Sequence, residues 1–112
     1  MPAGLPELDV ARAQRWCASR VPAELHNELV VECDVAADHL TIVECRPPWR
    51  GDGDWTRSRV AQLRYTPLTG LWTLYHRDQR DRFQLYPDAA PRRTLERLLD
   101  EIDADPTGIF WG

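Results

Sequence analysis

The stretch Ala61-Gln62-Leu63-Arg64-Tyr65-Thr66-Pro67-Leu68-Thr69-Gly70-Leu71-Trp72-Thr73-Leu74-Tyr75 decides the fold. Apolar and polar residues alternate on both sides of Pro67-Leu68-Thr69-Gly70, which is the pattern of two half-buried strands joined by a tight turn. Proline supplies a fixed φ early in such a turn, and glycine accepts the positive φ near its end. Pairing Tyr65 with Trp72 gathers Ala61, Leu63, Tyr65, Trp72 and Leu74 on one face and leaves Gln62, Arg64, Thr73 and Tyr75 on the other. Residues 77–81 read as a charged turn and 82–86 as a further strand. Its Phe83 and Leu85 extend the apolar face, and Arg82, Gln84 and Tyr86 extend the polar one.

Working outward, two more strands precede this hairpin. Residues 29–35 and 40–46 flank the turn Ala36-Ala37-Asp38-His39, and pairing Val35 with Leu40 sets Cys33 opposite Ile42 and Val31 opposite Glu44. Glu32, Asp34, Thr41 and Val43 then share the opposite face. Pro47-Pro48 stops the second strand, because proline cannot donate to a ladder. Gly51-Asp52-Gly53-Asp54 is a loop by composition, and it lacks the further ligands and closing glutamate of a calcium site. The short connections favour antiparallel pairing throughout.

Helical periodicity appears only at the two ends. Val10, Ala13, Cys17 and Val21 fall on one face of residues 7–21, with Trp16 at its edge and Pro6 and Pro22 as start and stop. Leu95, Leu98, Leu99 and Ile102 mark a second helix, with Asp88 as its expected cap and Pro91 in its first turn. The apolar tail Ile109-Phe110-Trp111 is expected to dock. The expectation is therefore one domain, residues 1–112, of the α+β class. It has an N-terminal helix, a five-stranded antiparallel meander-like sheet and a C-terminal helix, with both helices on one sheet face.

Composition narrows the function classes. No apolar run exceeds three residues, and the first residues have neither a basic nor an apolar leader segment, so a cytoplasmic protein with no membrane partner is expected. Cys17, Cys33 and Cys45 are odd in number and contain no CxxC, which fits reduced thiols better than a disulfide framework or a zinc site. Cys33 and Cys45 point to opposite faces in the register above, and Cys17 has no nucleophile partner at a readable spacing. No metal or other cofactor is expected. The net charge of −4 is unevenly spread: residues 1–45 carry −5, 46–93 carry +5 and 94–112 carry −4. The plain cause would be arginine-bearing strands neutralised by acid-bearing helices.

Several landmarks resemble a known family. They are Glu44-x-Arg46-Pro47-x-Trp49, Arg64-Tyr65, Trp72-x-Leu74-Tyr75, Arg82, Tyr86, and Asp105-Pro106 with Phe110-Trp111-Gly112. Together they look like the small bacterial domain-of-unknown-function family numbered 3024, from about Val31 onward. That resemblance implies a small compact domain and carries no activity, cofactor or catalytic residue.

The candidate site is the polar face of the last three strands: Arg64, Tyr75, Arg82, Gln84 and Tyr86. Tyrosine and arginine are enriched in protein-binding hot spots, so the leading expectation is a non-enzymatic module that binds a protein partner or a second copy of itself. The same residue types stack bases and hold phosphates, which makes single-stranded nucleic acid the alternative. The plainer reading is a half-wet sheet face with tyrosines present for strand propensity. A third class is a small nuclease-like enzyme centred on His76-Arg77-Asp78-Gln79-Arg80-Asp81-Arg82, where a histidine base would sit beside phosphate-binding arginines. Alternating charges in a turn are more often solvated ion pairs.

Overall fold

A computed structural model describes residues 4–51 and 53–111; Asp52 of the glycine–aspartate loop and the landmark Gly112 lie outside the described residues. The elements run α1 (Glu7–Ser19), a 3-10 turn (Ala23–Leu25), β1 (Val30–Val35), β2 (His39–Arg46), β3 (Thr56–Thr66), β4 (Leu71–Arg77), β5 (Phe83–Leu85) and α2 (Glu96–Ala104). The strands form one antiparallel sheet in sequence order, β1 to β5. Both helices contribute to a single core on one sheet face.

The first two hairpins have the register their alternation requires. Val35 faces Leu40, Cys33 faces Ile42 and Tyr65 faces Trp72. Gly70 adopts a φ of +69°, as its turn needs, and its N–H donates to the Thr66 carbonyl at 2.8 Å. Leu40, Ile42, Leu63, Trp72 and Leu74 are sealed beneath the helices. From α1, which stops at Ser19 short of the helix expected over residues 7–21, the covering residues are Ala13 and Cys17, with Val21 just beyond its end; from α2 they are Leu98, Leu99 and Ile102, with Leu95 just before it.

Three features depart from simple alternation. A bulge between Ile42 and Val43 leaves Val60 without a partner, so Val60 and Ala61 both face the core. The pleat reverses there, and Arg57 and Arg59 turn to the face that also carries Gln62 and Arg64. Second, β5 is out of phase with the sequence expectation. Tyr75 faces Leu85 and His76 faces Gln84, so Phe83 and Leu85 lie on the open face and Gln84 and Tyr86 on the helix side. Tyr86 is only 2% exposed and belongs to the core. Its burial is tolerable because its hydroxyl donates to Glu101 Oε2 at 2.6 Å.

Third, α2 begins at Glu96, and Asp88 does not cap it. The backbone of Arg92 exchanges hydrogen bonds with Trp72 at 2.6 and 2.9 Å, which keeps the chain extended beyond Pro91. After α2, Asp105 takes a left-handed conformation, and its carboxylate accepts the N–H groups of Phe110 and Trp111. This docks the tail: Phe110 packs on Tyr86 with ring centroids 5.1 Å apart, and the Trp111 indole donates to the Ile102 carbonyl.

Candidate binding face

The open face is built from alternate residues of all five strands. Glu32 and Asp34 come from β1, Thr41, Val43 and Cys45 from β2, and Arg57, Arg59, Gln62 and Arg64 from β3. Tyr75 and Arg77 come from β4, and Phe83 and Leu85 from β5. No helix covers it, yet Thr41, Val43, Cys45 and Gln62 are buried. Arginine stems provide the cover. Arg57 reaches over Cys45, with Nη1 at 3.8 Å from the sulfur, to hold both Glu32 and Asp34 on β1. That cover withdraws water from the Cys45 thiol, which burial pushes up, with Glu32 adding to the rise.

Two arginines sit over aromatic rings. The Arg64 guanidinium sits 3.9 Å from the Tyr75 ring centroid, and Arg59 sits 5.0 Å from that of Phe83. Arg64 also donates to Gln62 at 2.7 Å, and Gln62 in turn donates to Thr41. Among the described residues Arg64 has no acidic partner within ion-pair distance, whereas Arg57 holds Glu32 and Asp34, and Arg59 and Arg77 both hold Asp81. Beside these stacks Leu85 is 56% exposed.

Of the five residues singled out from sequence, the fold brings Arg64 and Tyr75 together on this face. Arg82 sits at the β4–β5 turn, ion-paired to Asp78, while Gln84 and Tyr86 belong to the opposite side. Phe83 and Leu85, assigned to the core by their hydrophobicity, take their places. Arg57 and Arg59 enter through the bulge, which alternation alone does not reveal.

The charged turn is occupied by its own architecture. The Asp78 carboxylate accepts the backbone N–H groups of Arg80 and Arg82 and the amide of Gln84. Those bonds, that from Arg82 foremost, hold it below the usual carboxylate range. His76 lies on the helix side, edge-on to Tyr86 at 6.4 Å. Among the described residues no group of three or more His, Cys, Asp and Glu is placed to hold a metal ion, and no helix is long and apolar enough to cross a membrane.

A family model described as Domain of unknown function (DUF3024) matches residues 2–112. The chain belongs to the DUF3024 family. No curated protein and no solved structure matches it. Five of the landmarks that resemble DUF3024 are packing residues here: Trp72, Leu74, Tyr86 and Phe110 are core, and Asp105 closes α2. They convey a fold, which is why membership brings no chemistry with it. Others lie at the surface: Arg64 on Tyr75, Arg46, Arg82, and the Trp49 side chain, 94% exposed in the β2–β3 connection.

Proposed function

We propose that this DUF3024 protein is a non-enzymatic binding module whose open face on β3–β5 takes a protein partner, a second copy of the chain included. The observation that carries this reading is the pairing of exposed Leu85 with Phe83 and Tyr75, each aromatic ring roofed by an arginine. Rigid aromatics, arginine and an exposed leucine on a flat sheet form a patch of hot-spot composition. Charge favours a protein over a phosphate backbone. Three of the four face arginines are already engaged by Glu32, Asp34 and Asp81, leaving a nearly neutral amphipathic surface.

Sedimentation of the purified protein, alone and with proteins captured by pull-down, tests the reading. We expect a dimer or hetero-complex that Leu85→Glu and Tyr75→Ala dissociate, each weakening association by about 2 kcal/mol or more. A strictly monomeric protein that captures nothing would remove it.

A further inference from the structure

Cys17 and Cys33 lie far apart in sequence and meet at the α1–β1 contact. Ala13 and Cys17 occupy one face of α1 four residues apart, both fully or almost fully buried, and such small side chains allow the helix to seat closely on β1. Cys33 lies on the helix-facing side of β1, opposite Ile42, and is half-buried. Both cysteines line one open cleft of about 470 Å³, together with Gln14, His26 and Asp34, which gives small solutes a path to the pair. Cys45 is on the other side of the sheet, beneath Arg57.

The two sulfurs are not equivalent. The neighbouring Cys17 thiol favours the thiolate of Cys33, opposed by its own burial and by Asp34. The neighbouring Cys33 sulfur and burial keep Cys17 protonated, although Arg20 pulls the other way. A more exposed, more ionisable sulfur beside a buried protonated one is the arrangement of an attacking and a resolving cysteine.

We propose that Cys17 and Cys33 form a redox-active dithiol that a hydroperoxide converts to an intramolecular disulfide joining α1 to β1. The Cys33 thiolate attacks one peroxide oxygen, the O–O bond breaks, and the departing hydroxide takes a proton and leaves as water. The Cys17 sulfur then attacks the resulting Cys33 sulfenic acid and expels its hydroxyl, which leaves as water with the Cys17 proton. In sum, two thiols and one hydrogen peroxide give one disulfide and two waters. The bond would pin α1 to the sheet edge.

The test is mass spectrometry of the folded, fully reduced protein after one equivalent of hydrogen peroxide, quenched with an alkylating agent. We expect loss of two hydrogens, only one of the three thiols still alkylated, and full reversal by dithiothreitol. Trypsin leaves Cys33 and Cys45 on one peptide, because no lysine or arginine lies between Val21 and Arg46, so a second cut after Glu44 is needed. The fragment containing Cys17 should then be joined to the one containing Cys33. Cys45→Ser should leave the reaction intact, and Cys33→Ser should abolish it. With Cys17→Ser, the Cys33 sulfenic acid should persist and be trapped by dimedone. Over-oxidation of Cys33 with Cys17 still alkylated, or linkage through Cys45, in the wild-type protein would overturn the proposal whether or not the variants fold.

Discussion

Trp72 and Tyr75 are three positions apart on β4, and the pleat gives them opposite fates. The Trp72 ring is fully buried, packs 5.0 Å from Tyr65, and donates its indole N–H to Asp9 Oδ2 at 2.9 Å. That bond accounts for a carboxylate buried in the first turn of α1, where Arg12 also approaches it. Trp72→Ala should cost about 3–5 kcal/mol in urea unfolding. Trp72→Phe should still cost about 1–3 kcal/mol, because Asp9 would lose its donor. Tyr75→Ala should cost much less than Trp72→Ala, since its ring lies on the open face beneath Arg64 and is only partly buried; equal costs would show that the open face is closed. Tyr86 allows a pH test. Burial, followed by the bond to Glu101, raises its phenol above the ordinary value. A raised folded pKa means stability is fully present below the unfolded value of about 10 and is lost as pH rises beyond it. Urea midpoints should therefore fall from about pH 9 to 11, and Tyr86→Phe should flatten that fall.

At the scale of elements, the sequence was legible wherever hydrophobic alternation and turn chemistry agreed. The β1–β2 and β3–β4 registers, the inward stripe of α1 and the apolar face of α2 all follow from residue spacing. What escaped was set by non-local bonds. The bulge at Val60 depends on the β2–β3 pairing, and the late start of α2 depends on Arg92 bridging Trp72. The phase of β5 was misread because Phe83 and Leu85 look like core residues and Tyr86 does not. Two of the five candidate residues, Gln84 and Tyr86, left with that phase; Arg64 and Tyr75 stayed, and Arg82 went to the turn. The phase is fixed by the loop, where Asp78 donates its N–H to the Arg82 carbonyl and Asp81 takes a φ of +62°. Asp78→Ala should therefore loosen β5, seen as faster amide exchange at Gln84 and Tyr86 with little change at Leu63. The same loosening should appear in the parent protein at acid pH. The folded-state pKa of Asp78 is lowered, so its contribution is present above about 3.9 and lost as pH falls through the folded value.

Across the whole molecule, charge is neutralised within layers. Strand arginines pair with acids of the sheet and its turns, as Arg57 does with Glu32 and Asp34, whereas helix acids pair with helix-side arginines, Asp103 with Arg20 and Glu96 with Arg12. The acidic first segment and the basic middle therefore neutralise one another within the sheet, as Arg57 does with Glu32 and Asp34, and not across the core. Exposed pairs of this kind contribute about 0–1 kcal/mol each and are screened over about 8 Å at physiological salt, so stability should respond only weakly to added sodium chloride. Salt also separates the partner classes. Each phosphate neutralised on a single strand contributes a log–log slope of about −0.7. With Arg57, Arg59 and Arg77 held by acids, Arg64 has the least to give up on binding a phosphate. Fluorescence anisotropy with short RNA and DNA strands at two salt concentrations should show no binding or a slope no steeper than about −1.4, the value for two contacts. Oligonucleotide binding with a slope near −2 or steeper, for about three contacts, and weakened by Tyr75→Ala, would mean that the acids release their arginines to phosphate. Single-stranded nucleic acid would then replace a protein as the partner of this face.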